Sequence, residues 1–131
     1  MPRDVIVPDG QEALYQQFHF AQAARHGDLV ICSGQIGTGT DGKVPGDPKE
    51  DFRNAWRSVG VVLEAAGLGY ENIIEYTTIH VGLLEHMAEF MEVRDEFIKE
   101  PWPAWTAIGV TELAVPGARV EIRATAVASS D

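Results

Sequence analysis

The spacing of hydrophobic positions changes several times along this chain, and each change marks an element. Phe52, Ala55, Trp56, Val59, Val62, Leu63 and Ala66 recur at the interval of one helical face. Asp47 precedes them as an N-cap candidate and Pro48 takes the first helical position. Glu50 stands three residues past the cap, and Gly67 offers a stop. A second stripe, Met87, Phe90, Met91, Val93, Phe97 and Ile98, predicts another helix. Its outer face carries Glu89, Glu92 and Asp95, the composition of a solvated surface.

Elsewhere the period is two. Val120, Ile122, Ala124, Ala126 and Ala128 share one face of a C-terminal strand, and Glu121, Arg123 and Thr125 share the other. Pro101 and Pro103 end whatever precedes them, and an alternating run to Val110 follows, divided from the last strand by a Pro116-Gly117 turn signal. Leu29 to Ile36 is the strongest early strand, apolar on both faces until Ser33 and Gly34. Ile73 to Leu84, rich in Ile, Thr, Tyr and Val, reads as a long strand. Val5 to Val7 is a short strand candidate closed by Pro8-Asp9-Gly10. Phe18 to Arg25 alternates weakly before a hairpin signal at His26-Gly27-Asp28, and Asp41-Gly42 marks the turn of a polar loop.

Three strands, a helix, a strand, a helix and two strands predict one sheet with both helices on one side. The strand–helix–strand crossover is expected to be right-handed. No repeat or linker divides residues 1–131, so a single domain is expected. Nothing remains to cover the second sheet face, yet Leu29 and Ile31 oppose Val30 and Cys32, and Trp105 and Ala107 oppose Ile108 and Val110. A sheet apolar on both faces with helices for only one predicts a homo-oligomer.

Composition narrows the function classes. The 131 residues, 45% of them hydrophobic, suit one globular domain, and a net charge of −10 repels a phosphate backbone, so no nucleic-acid partner is expected. No apolar run approaches the ~20 residues of a membrane span, and the first residues lack the build of a signal peptide. A single cysteine, Cys32, forbids an internal disulfide and suits the cytoplasm; among apolar neighbours it reads as a buried, inert thiol. His19, His26, His80 and His86 lack metal-ligand spacing, with His80 in a strand and His86 near a helix start, and no phosphate-cradling glycine motif is present. No metal or cofactor is expected. Trp56 belongs to the helical core stripe, whereas Trp102, held between prolines, either packs or lines a cleft with Trp105. Glu121 has two readings: a solvated strand edge shared with Arg123, or a carboxylate placed for proton transfer.

Four segments carry a resemblance. Ser33-Gly34-Gln35 at a strand end, Ala65-Ala66-Gly67 closing a helix, Pro103-Ala104 opening a strand and Val120-Glu121-Ile122 near the C-terminus resemble the Rid family, the YjgF-like reactive intermediate deaminases. The match runs from about Val5 to Ala128, and Trp105-Thr106-Ala107-Ile108-Gly109-Val110-Thr111 is similar to the YjgH-like branch. The resemblance implies an α+β, chorismate-mutase-like fold with one mixed sheet and two helices on one face. It also implies a homotrimer assembling as a barrel, with a small-molecule ligand in intersubunit clefts. The implied chemistry is hydrolysis of an imine or enamine to a carbonyl and ammonia. Glu121 would order the water, and Ser33 and Gly34 would contact the substrate.

Three positions depart from the family pattern. Trp105 stands where active deaminases carry the arginine that grips a substrate carboxylate, and an indole offers only one neutral donor. Phe20 aligns with a cleft tyrosine and has no hydroxyl. Arg94 aligns with an asparagine, either as a displaced positive charge or as a surface arginine. The implied functions are therefore a deaminase of an imine, enamine or related metabolite without the usual carboxylate grip, or a trimer binding a small ligand against Trp105 without catalysis. Ribonuclease activity, a label some members carry, is disfavoured by the charge.

Overall fold

The computed structural model describes residues 2–128. Strands β1 (Asp4–Ile6), β2 (Ala23–His26), β3 (Leu29–Cys32), β4 (Gln35–Ile36), β5 (Ile73–His80), β6 (Ala104–Gly109) and β7 (Val120–Val127) form one sheet. The helices are α1 (Glu12–Phe18), α2 (Pro48–Ala65) and α3 (Leu83–Phe97), with a 3₁₀ turn at Tyr70–Asn72. The order across the sheet is β1-β2-β3-β7-β5-β6, and β4 also pairs with β7. β5 and β6 run parallel across the α3 crossover, and every other pairing is antiparallel, so the sheet is mixed as expected.

Helix α2 begins where its capping signals place it. The Asp47 carboxylate accepts the Lys49 backbone N–H at 3.2 Å, and Pro48 opens the first turn, where its missing donor costs nothing. Glu50 does not close a capping box; it pairs instead with Arg57 at 3.0 Å. Gly67 takes φ 78° beyond the last turn, the left-handed conformation that glycine adopts without a Cβ penalty. The α2 stripe is buried against the even-numbered face of β7, Val120, Ile122, Ala124 and Ala126, all 0% exposed. Between the layers lies an aromatic cluster in which Trp56 stacks on Phe97 with centroids 6.1 Å apart and meets Tyr76 edge-on at 5.3 Å.

Three elements differ from the sequence reading. The first is α1, a seven-residue helix with no buried residue, in a segment that carries no helical stripe. It is held locally: Glu12 accepts the Gly10 N–H, and Leu14 N–H bonds to Gln11 O at 3.1 Å. It makes a third helix, at the edge of the sheet away from α2 and α3. The strand expected over 73–84 ends at His80, because Gly82 enters the left-handed region and starts α3 at Leu83. The run from Leu29 to Ile36 is not one strand but two, separated at Ser33 and Gly34.

Helices α2 and α3 cover the even-numbered face of β7, and the opposite face is open over most of its width. Ile31 and Ile108 on that face are 41% and 44% exposed. Among the described residues no helix is long and apolar enough to cross a membrane.

Candidate active site

The break between β3 and β4 is a bulge. Ile31 faces Thr125 and Gln35 faces Ile122, so Cys32, Ser33 and Gly34 occupy the interval that Arg123 and Ala124 fill on β7. Bulges bend a strand and re-aim its side chains. Here Gln35 fixes the bend: its amide donates to Gln22 Oε1 at 2.6 Å and to Ser33 O at 3.2 Å, while Ser33 N–H bonds to Gln22 O at 2.8 Å. Gln22 is itself buried. It is a positioning residue the sequence reading missed, since a lone glutamine beside an irregular segment carries no periodic signal.

Glu121 stands on the open face opposite this bend. Its cross-strand neighbours are Ile36 on β4 and Ile79 on β5, so the half-buried carboxylate is flanked by aliphatic side chains. Its Cγ, Cδ and Oε2 lie against the Cα of Gly34, where a Cβ has no room. Ser33, on the same face, donates its hydroxyl to Ala21 O at 2.7 Å, which leaves the oxygen lone pairs free to accept. Phe20 follows His19, the non-glycine residue with positive φ (60°) that ends α1. Phe20 and Ser33 line one cavity between α1 and the open face. The structure therefore pairs Phe20 with Ser33 in one cavity and Gly34 with Glu121 in one contact, the two joined at the Ser33-Gly34 step.

Trp105 and Arg94 form a separate group on the other side of the sheet. Trp105 is the Cα partner of Tyr76, which points into the helix layer, and the two rings stack at 5.9 Å with 14° between planes. The indole N–H donates to Thr78 Oγ1 at 2.9 Å, and His80 Nε2 lies 2.7 Å from the same oxygen. Burial, helped by the charge of His86, pulls the His80 pKa down to about 4, so the ring is neutral near pH 7. A neutral ring with its proton on Nδ1 accepts from the Thr78 hydroxyl while that hydroxyl accepts from the indole. The indole N–H, the Thr78 hydroxyl and His80 Nε2 each then have a partner.

Arg94 is not a loose surface arginine. Its guanidinium carbon sits 4.9 Å from the Trp105 ring centroid, Nε donates to Asp95 at 2.8 Å, Nη1 donates to the Tyr76 hydroxyl at 3.3 Å, and the side chain is 14% exposed. Trp105 and Glu121 lie on opposite faces of the sheet and do not meet. Trp102 is 59% exposed just before β6 and lines a pocket with Tyr70 and Phe97 rather than with Trp105. Cys32 is buried on the helix side, and burial raises its thiol pKa to about 11, an unreactive state.

A bulged β3–β4 edge set against a carboxylate on β7, in an α+β fold with a β5–α3–β6 crossover, defines the class. Residues 10–128 match the family model described as Endoribonuclease L-PSP, and the chain belongs to that family, which includes the YjgF-like proteins. It is 36% identical over 113 residues to RutC family protein YjgH of Escherichia coli strain K12, with 86% of each chain covered. It is 31% identical over 110 residues to a 2-iminobutanoate/2-iminopropanoate deaminase of Dermatophagoides farinae, covering 82% of this chain and 84% of that one. Among solved structures, Protein YJGH superposes with a TM-score of 0.88 at 34% identity, with both chains covered completely. Escherichia coli TdcF with bound serine superposes with a TM-score of 0.76 at 29% identity, over 84% of this chain and 88% of that one.

Proposed function

We propose that this protein is a deaminase of reactive imines or enamines, working as a homotrimer with Glu121 as its proton-transferring group. The observation that carries the reading is the packing of Glu121 on Gly34 at the bulge, one residue along the chain from Ser33 in the cavity wall. It holds a carboxylate on a partly apolar face next to a ligand-sized cavity. The deaminase relatives support the reaction class. The apolar open face supports assembly, because Leu29, Ile31 and Ile108 gain from leaving water.

The chemistry follows from the substrate. Water adds to the C=N carbon; as the C–O bond forms, Glu121 takes a proton from the water and the nitrogen takes one from solvent, giving a carbinolamine. Glu121 then returns its proton to the nitrogen, the C–N bond breaks, and the remaining hydroxyl proton passes to solvent as the carbonyl forms. Imine and water thus become carbonyl compound and ammonia. Trp105 is committed to Tyr76, Thr78 and Arg94, so it does not replace an arginine as a carboxylate grip. Short 2-imino acids are accordingly expected to be poor substrates.

The second reading, a trimer that binds a ligand without turnover, is favoured by one observation: the Ser33 hydroxyl proton is already committed to Ala21 O. Generating imines in situ with an amino-acid oxidase and competing with semicarbazide separates the two. Acceleration of imine loss supports the deaminase, and none with any imine, with ligand still bound, supports the binder. Light scattering should give three times the 14.3 kDa chain mass; a stable monomer would contradict the assembly.

A further inference from the structure

Seven residues of α2 are buried, and six of them are apolar; Asp51 is the exception. Burying an ionised carboxylate strips its hydration, and an apolar side chain in such a place is often as stable or more so. The contacts of Asp51 show what its carboxylate holds. Oδ2 accepts the Arg119 backbone N–H at 3.3 Å and Nη1–H at 3.1 Å, and the Arg119 carbonyl accepts the Val81 N–H at 3.0 Å. Arg119 is the residue before β7, so that strand enters the sheet with its first peptide groups tied on both sides. Oδ1 has no hydrogen-bond partner among the described residues. Together with the Asp51 backbone carbonyl it lies against the Cα of Gly37, where a Cβ has no room. Gly37 is the residue after β4.

We infer that Asp51 is a positioning residue, a clamp on the ends of β4 and β7 that seats Glu121 on Gly34. β4 is two residues long, and its ladder to β7 offers few bonds to fix its placement. In that ladder Ile36 faces Glu121. Antiparallel pairing therefore puts Gly37 and Arg119 at the same end, and Asp51 meets both there. Glu121 lies two residues beyond Arg119, and Gly34 lies three residues before Gly37. A displaced strand end is carried to their contact over those few residues, at roughly 3.3 Å each. Arg119 also donates to Pro45 O at 3.0 Å and to Gly46 O at 2.9 Å, which ties the same corner to the loop ahead of α2. The carboxylate on the open face is thus set by a second carboxylate in the helix layer. The effect on turnover rests on the deaminase reading; the effect on the position of Glu121 does not.

Asp51→Asn keeps the shape and breaks the clamp. With its oxygen on Arg119 the amide turns its NH₂ hydrogens onto Gly37, and the other way round it sets a donor against the Arg119 donors. Gly37→Ala breaks the same contact from the β4 side without a change of charge. The test labels the side-chain carboxyl carbons of glutamate with ¹³C in the intact protein and assigns the Glu121 resonance by its loss in Glu121→Gln. That resonance should move in Asp51→Asn, Gly37→Ala and Gly34→Ala. It should stay in place in Tyr70→Phe, which loses a hydrogen bond to Trp56 O instead. Imine turnover by Asp51→Asn should lose at least ~10-fold in kcat with KM changed by less than about threefold, as for a displaced catalytic group. Tyr70→Phe should keep the wild-type kcat. Asp51 and Gly34 act on one carboxylate, so Asp51→Asn combined with Gly34→Ala should turn over within about threefold of Gly34→Ala alone. An unmoved Glu121 resonance in Asp51→Asn or Gly37→Ala, an unchanged kcat, or losses that multiply in the double variant would each overturn the inference. Mass and circular dichroism identify the variants that fold, and Gly37→Ala carries the same three readouts if Asp51→Asn does not. No imine turnover by wild type contradicts only the deaminase reading, and the resonance still decides this one.

Discussion

A Cβ on Gly34 would lie 2.5 Å from Oε2 of Glu121 and 2.6 Å from its Cδ and Cγ. The glutamate therefore fills the space that any other residue at 34 would need. Gly34 is required by this close approach and not by its backbone, since it is absent from the glycines with positive φ. Gly34→Ala should displace the carboxylate while leaving the fold in place, because the half-buried Glu121 can swing outward. The expected stability loss is within about 1 kcal/mol, measured by chemical denaturation, with imine turnover reduced at least ~10-fold. Full turnover would show that the position of the carboxylate does not matter.

Trp105 offers a test of the helix-side network. Trp105→Phe retains a ring to stack on Tyr76 but removes the donor to Thr78, and should cost about 1 kcal/mol. Trp105→Ala also removes the stack and the platform beneath Arg94, and should cost about 3 kcal/mol. Equal losses in the two variants would mean that the stacking contributes nothing.

Asp51 is fully buried at the start of α2 and accepts Arg119 Nη1–H at 3.1 Å and Arg119 N–H at 3.3 Å. Burial raises its pKa, and the Arg119 hydrogen bonds and charge pull it back. Arg119→Ala leaves a buried carboxylate without its cation and frees Pro45 O and Gly46 O, for an expected loss of about 3–5 kcal/mol near pH 7. The double variant with Asp51→Asn should recover part of that loss; no recovery would place the damage in the loop contacts instead.

His80 sets a pH dependence. Its folded pKa, about 4, lies below the ordinary 6.5, so the unfolded chain binds the proton more readily. Its contribution is complete above pH 6.5 and is lost as pH falls from there toward 4. Asp51, with a raised pKa, has the opposite slope in the acid range. The test is therefore the difference between wild type and His80→Phe, in which Asp51 cancels. Wild type should lose more stability than the variant between pH 6.5 and 4, and parallel curves would contradict the assignment.

The residues explain which parts of this architecture are legible in the sequence. Helix α2 is, because Asp47, Pro48, the Phe52–Leu63 stripe and Gly67 all point one way. So is β7, whose even positions are buried and whose odd positions carry Glu121 and Arg123. The bulge is not, because Leu29 to Ile36 reads as a single apolar run and the extra residue shows only against the β7 register. Helix α1 escapes because it buries nothing and so imposes no period. The side of the sheet taken by Trp105 escapes because β6 carries apolar residues on both faces, and Arg94 reaches Trp105 only through the parallel pairing of β5 and β6.

The most direct test of the central claim is imine turnover by Glu121→Gln. The amide keeps the shape that packs on Gly34 and removes the group that takes and returns the proton. With imines generated in situ and trapped by semicarbazide, wild type should outcompete the trap and Glu121→Gln should be slower by roughly 100-fold or more, as for loss of a general acid–base. The variant should keep the wild-type mass. Wild-type turnover in Glu121→Gln would contradict the proposed mechanism.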